Sequence, residues 1–241
     1  MGAFTRFAAV LVIVFAFGSA SGADLEASVE ADFFSAYVWR GLLLTDEPVF
    51  QPSASAGFRG LSLEVWGNMD LTDTNGRGGT FSECDCTLGY ERAVSLLTLE
   101  GGVIHYSYPN TGVPGTTELF AGVGFDVPLQ PALRANVDVD ECDGTYLCLT
   151  IGHEHPLIER VSLNGFASVG YGNAKHNDFN YGCRETAFSA AAVGAALATE
   201  VSEHFSIETS VTYTTLLDSG IRDLAGDGDN IFYGAAFSYS F

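Results

Sequence analysis

Alternation of apolar and polar side chains at every second position runs through this chain. It is clearest in the stretch that closes it, Asn230 to Phe241. Odd positions there carry Ile231, Tyr233, Ala235, Phe237, Tyr239 and Phe241, and even positions are mostly polar or small, Phe232 excepted. A period of two predicts a strand with one apolar face. Aromatics near both ends of that face, and an aromatic last residue, match a bacterial outer-membrane strand with its greasy side against lipid. The closing strand of a soluble barrel would share the alternation.

The same rhythm predicts a long first strand, with Leu25, Ala27, Val29, Ala31, Phe33, Tyr37 and Trp39 on one face and Glu26, Glu30, Asp32 and Arg40 on the other. Gly41 to Val49 reads as a loop. Strands about 50–58 and from Leu61 follow, joined by a sharp turn at Arg59-Gly60. Later strands put Glu64 and Asp70, then Glu83 and Asp85, then Glu118, then Arg134 and Asp138, then Glu208 opposite their apolar faces. Asp126 and Asp140 share the polar parity of their neighbours. The strand about 95–107 carries apolar residues on both parities, so its facing stays open. Gly172 to Arg184 reads as a polar loop, 185–197 as an Ala-rich strand, and Leu217 to Asp229 as an acidic, Gly-rich loop. Connections near Arg59, Glu91, Val127, His155 and Thr199 are short. Most of those between them are longer and more polar. About twelve strands in one domain, 24–241, predict an all-β, antiparallel, up-and-down transmembrane barrel with both ends on the periplasmic side.

The N-terminus supports export. Arg6 precedes an apolar run, Phe7 to Phe17, and small residues up to Ala23, the pattern of a cleaved signal peptide over 1–23. The run is too short for a membrane helix, which needs about 20 residues. A closed barrel is the other fold that satisfies its backbone in lipid. Localisation in the cell outer membrane follows as an expectation.

Charge sharpens the picture. The chain has 10 Lys and Arg against 30 Asp and Glu, and its formal charge of -20 becomes -21 when Arg6 leaves with the signal segment. Such acidity argues against nucleic acid as a partner. Inward charges are tolerated only where water or a counter-charge meets them. The candidate pore-lining set is therefore Glu26, Glu30, Asp32, Glu64, Asp70, Glu83, Asp85, Glu118, Asp126, Asp138, Asp140 and Glu208, with Arg40 and Arg134 as counter-charges. It predicts either a cation-favouring aqueous path for small solutes or an interior cross-linked by its own side chains. Twelve strands leave a narrow lumen.

Other chemistry is weak. Asp138 to Gly144 resembles the start of a calcium loop, but Cys142 and Leu149 stand where ligands are expected. Asp223, Asp227 and Asp229 form a second acidic loop, most simply a solvated turn. His153 and His155 lack a third metal ligand. No Gly-x-Ser-x-Gly elbow marks a nucleophile, and no catalytic residue, metal or cofactor is expected. The five cysteines match no zinc spacing. Cys142 and Cys183 fall in loops on the same side, so a bridge between them is allowed in an oxidising compartment.

Four stretches carry a family likeness. Ser35-Ala-Tyr-Val-Trp-Arg-Gly41, followed by Pro48 and Gln51, resembles the opening signature of the TorF-like porins of bacterial outer membranes. Ala36 stands where that signature usually has Asp. Val65-Trp-Gly-Asn68, Gly102-Val-Ile-His-Tyr-Ser-Tyr-Pro109 and Glu118-Leu-Phe-Ala-Gly122 resemble further segments of it, in order along the chain. The resemblance implies a small outer-membrane channel without catalytic residues. The expected partners are outer-membrane lipid, small solutes or cations, and the barrel-assembly machinery acting on the strand that ends in Phe241.

Overall fold

The computed structural model describes residues 25–226 and 228–241; the expected signal segment 1–23 and Asp227 lie outside them. Among the described residues fourteen strands form in chain order: β1 Glu26–Phe34, β2 Tyr37–Trp39, β3 Leu42–Thr45, β4 Val49–Phe58, β5 Leu61–Asp70, β6 Phe81–Val94, β7 Leu97–Ser107, β8 Thr116–Phe125, β9 Ala132–Asp138, β10 Thr145–Ile158, β11 Val161–Gly172, β12 Ala187–Glu200, β13 Phe205–Leu216 and β14 Asp229–Ser240. Two short helices, α1 Ala174–Tyr181 and α2 Ser219–Ala225, lie in connections. Twelve of the strands form one closed antiparallel barrel, and β2 and β3 form a separate two-stranded hairpin. Closure comes from β1, which pairs β14 on one side (Val29 with Tyr239) and β4 on the other (Val29 with Ala54).

The expected parity holds on the wall. Leu63, Val65, Leu88, Leu119, Leu133, Leu149, Val193 and Val211 are exposed on the outside. Phe33, Tyr171, Phe188, Tyr213 and Tyr233 ring one end of this apolar surface, and Phe58, Tyr90, Phe125, Tyr239 and Phe241 are exposed near the other. An apolar outer band between aromatic girdles is the surface that lipid selects. No helix among the described residues is long and apolar enough to cross a membrane. The open facing of β7 resolves: Thr98, Ile104 and Tyr106 are buried inside while Leu99 is exposed. Both parities looked apolar because the lumen holds aromatic and aliphatic side chains of its own.

Four expectations are corrected. The first strand does not run to Trp39. It leaves the wall after Phe34, and residues 37–45, expected as strand end and loop, make the β2–β3 hairpin. The polar loop 172–184 contains α1, whose N-cap Asn173 accepts the His176 backbone N–H and whose C-cap Gly182 is left-handed. The acidic loop contains α2, capped by the Asp218 carboxylate on the Gly220 and Ile221 amides. The bridge between Cys142 and Cys183 is not formed, and all five cysteines are free. Cys183 is buried in an apolar cluster with Tyr181, Ala190, Leu216 and Ile221. Cys142 instead directs its thiol to the Lys175 carbonyl at 3.6 Å, and burial followed by the nearby Asp138 charge pushes that thiol up to about 11.

Candidate functional site

The lumen is the site, and its two ends differ. At the turn end the strands connect tightly, as at Arg59-Gly60 between β4 and β5. A cavity of about 190 Å³ opens there, lined among others by Glu30, Glu154, Arg160, Ser162, Glu208, Ala236 and Ser238. Glu30 takes weak hydrogen bonds from Ser53 (3.5 Å) and Ser238 (3.4 Å). The strands that bound this cavity present small residues inward, including Ala192, Ala196 and Ala236. The opposite arc, β5 to β9, carries most of the carboxylates.

At the loop end the β2–β3 hairpin folds into the barrel. Val38 is fully buried and packs with Phe34, Tyr37, Val49 and Phe232. The tip turns on Arg40 (φ 49°) and Gly41 (φ 84°), while Trp39 pairs with Leu42. Positive φ at both central residues is the type I′ turn that suits a tight hairpin. Arg40 then spans to the far wall. Its Nη1 and Nη2 donate to both oxygens of Glu118, at 2.9 and 2.8 Å. Its guanidinium lies 4.3 Å from the ring centres of Trp39 and of Tyr146.

Glu118 is further held by the Tyr106 hydroxyl (3.0 Å) and the Asn136 amide (2.9 Å), both donating to Oε2. Tyr181 of α1 donates to the Arg40 carbonyl at 2.8 Å, and the Asn230 amide donates to the Gly41 carbonyl at 3.4 Å. His176 packs its ring on Trp39, Tyr146 and Tyr181. Burial, then the Arg40 charge, lowers its pKa to about 2, so it is neutral near neutral pH.

A buried bidentate pair of this kind is stable only with its remaining lone pairs satisfied, and here they are. Holding a non-glycine residue in the left-handed region costs about 1–2 kcal/mol. Charge-assisted hydrogen bonds return about 1.5–3 kcal/mol each. The tip is thus held by what Arg40 reaches, not by its own backbone preference.

Other predicted residues take distinct places. Glu83 accepts the Tyr37 hydroxyl at 2.8 Å, and Asp70 accepts Thr45 at 3.1 Å, so both tie the hairpin to the wall. Asp85 is buried beside Glu83 on β6, Asp32 is buried on β1, and Glu64 is half-buried on β5. Arg134 lies 3.8 Å over the Phe120 ring and 3.5 Å from Glu100.

Asp138 ties the wall's edge to the loop after β9. Its Oδ1 accepts the backbone N–H groups of Asp140 and Cys142, each at 3.0 Å, and its Oδ2 accepts Thr116 at 2.6 Å. No cluster able to hold a metal ion occurs among the described residues. Glu208 lines the turn-end cavity. Glu26 is exposed at the turn-end rim, Asp126 in the turn after β8 and Asp140 in the loop after β9.

Sequence reasoning missed the aromatic partners Tyr106, Tyr146, Tyr181 and His176, and the carboxylates Glu100 and Glu154. Glu154 was readable, since outward Leu149 and Ile151 put it inside by parity. The aromatics were not, because nothing local says that Arg40 crosses the lumen to meet them.

The profile of a family described as "Bacterial protein of unknown function (Gcw_chp)" matches residues 16–216. No curated protein matches the chain. Among solved structures it is similar to the KdgM porin, with a TM-score of 0.58 and 12% identity over 89% of this chain and 99% of that one. It is similar to the NanC porin, with a TM-score of 0.57 and 12% identity over 88% and 98%. A KdgM porin in complex with disordered oligogalacturonate gives 0.56 and 11% over 90% and 99%. At these identities the likeness is one of fold, that of a small outer-membrane porin barrel.

Proposed function

We propose that this chain, which belongs to the Gcw_chp family of bacterial proteins of unknown function, is an outer-membrane channel for passive diffusion of small solutes, favouring cations. The observation that carries this reading is the lumen itself. A closed wall with an apolar outside surrounds an interior lined by Asp32, Glu64, Asp70, Glu83, Asp85, Glu100 and Glu118. Carboxylates in excess over arginines give a narrow path a negative potential, which draws cations in and repels anions. The resemblance of residues 35–41 to TorF-like porins supports the same class. Oligogalacturonate, named for a KdgM complex, is a polyanion; the carboxylate-rich arc here favours solutes of opposite charge.

Export through a signal peptide at 1–23, and assembly through β14 and the Phe241 that follows it, complete the proposal. Single-channel recording in planar bilayers under a salt gradient tests it. Discrete steps with a cation-favouring reversal potential are expected, and anion preference would overturn it. A second reading, a non-conducting barrel whose loops bind partners, has the inserted hairpin behind it. Liposome swelling with graded sugars, before and after replacing residues 36–46 by a short Gly-Ser link, separates the two. No permeation even without the hairpin would favour the second.

A further inference from the structure

The pair that anchors the hairpin also describes a receptor. The wall groups that hold the Arg40 guanidinium, directly or through Glu118, come from four consecutive strands. Tyr106 is on β7, Glu118 on β8, Asn136 on β9 and Tyr146 on β10. Tyr106 and Asn136 orient the Glu118 carboxylate from the wall side. Glu118 then offers its two oxygens to one planar fork, and the Tyr146 ring supplies a stacking face. The hairpin contributes only the guanidinium and Trp39. Two parallel N–H···O bonds plus a stacked ring fit a guanidinium and not an ammonium, which is a strongly hydrated point charge.

We propose that this wall site recognises the guanidinium group of a solute, and that Arg40 fills it at rest as a tethered stand-in. The proposal rests on the channel reading for its consequence, that guanidinium-bearing cations are the solute class. A guanidinium solute competes with Arg40 and lets the hairpin withdraw. The hairpin's other contacts, Val38 in its buried cluster and Tyr37 on Glu83, add to the millimolar effective concentration that a short flexible tether alone would set, so competition in the intact chain takes place above that concentration.

Arg40→Ala empties the site. The refolded full chain in detergent is titrated with methylguanidinium and, at equal ionic strength, with methylammonium, reading its melting temperature. Half-maximal stabilisation is expected at a concentration at least about tenfold lower for methylguanidinium, the margin of a bidentate over a single charged contact. Equal concentrations would overturn the proposal.

If Arg40→Ala does not fold, Trp66→Phe leaves Trp39 as the one tryptophan of a chain that has two. Trp39 emission then reports withdrawal directly. A saturable shift with methylguanidinium alone is expected; no saturable shift, or the same shift with methylammonium, overturns the proposal. Bilayer currents separate the two levels. Selective binding without current in any variant would end the channel reading and leave the recognition site. Current without preference between the two cations would do the reverse.

Discussion

The chain makes the same turn twice, from the same dipeptide, with opposite results. Arg59 and Gly60 have φ of 51° and 88°, and Arg40 and Gly41 have 49° and 84°. Each pair closes a tight hairpin, between Phe58 and Leu61 in the first case and Trp39 and Leu42 in the second. At the turn end Arg59 is exposed and its guanidinium lies 5.0 Å from the ring of its neighbour Phe58. At the loop end Arg40 is 5% exposed and paired across the lumen with Glu118. Backbone chemistry selects the turn; what surrounds it decides whether it is a rim or a plug.

Arginine truncation should divide the two most sharply. Arg40→Ala leaves Glu118 buried without its charge partner, a loss of about 3–5 kcal/mol. It falls on hairpin docking, because β1 pairs β4 directly and the wall closes without β2 and β3. The expected readout is fast proteolysis near residues 36–46 and larger, noisier currents, with the barrel still resistant to unfolding in detergent. Arg59→Ala, at an exposed site, should stay within about 0.5 kcal/mol. Comparable effects of the two substitutions would break the comparison.

Glycine substitution should bring the turns closer together and separate them by readout. Each alanine would sit in the left-handed region, at about 1–2 kcal/mol. At Gly41 the added Cβ would meet a Leu216 methyl at 2.9 Å, which can shift, and the Ala190 Cβ at 2.8 Å, which moves only with its strand, so the hairpin tip must give instead. At Gly60 it would run into the carbonyl oxygen of Glu91, which is backbone. Gly60→Ala should therefore cost the barrel about 1–3 kcal/mol, the scale of an overpacked site, and lower its unfolding midpoint in denaturant. Gly41→Ala should leave that midpoint nearly unchanged and alter conductance instead.

The difference between the ends also explains what could be read from the sequence. Wall strands were legible because lipid outside and polar groups inside impose a period of two, and β14 shows it through Ile231, Tyr233, Phe237 and Tyr239. Arg59-Gly60 was legible as a turn for the same reason, lying between two such strands. Tyr37 and Trp39 misled, since they keep the parity of β1 while the chain has already left the wall. Their positions are set by Glu83 for Tyr37 and His176 for Trp39, far away in sequence, and no local period encodes such a partner. The Arg-Gly within the TorF-like signature marked the place without its geometry. Helices α1 and α2 escaped because each is short and polar and is defined mainly by its caps.

Acid should loosen the loop end and spare the turn end. His176 is held neutral among Trp39, Tyr146 and Tyr181, with its pKa lowered to about 2. Released, it returns to about 6.5. Above pH 6.5 neither state takes up the proton and docking is unaffected. Below it the undocked state binds a proton that the docked state refuses, so docking weakens by about 1.4 kcal/mol for each pH unit. Between pH 7 and pH 5.5, amide exchange in α1, corrected for its intrinsic rate, should therefore accelerate roughly tenfold. His176→Gln, which cannot titrate, should flatten that dependence. Amides beside Arg59-Gly60 serve as the internal control. If they accelerate with α1, acid is loosening the whole barrel and the two ends are not independent.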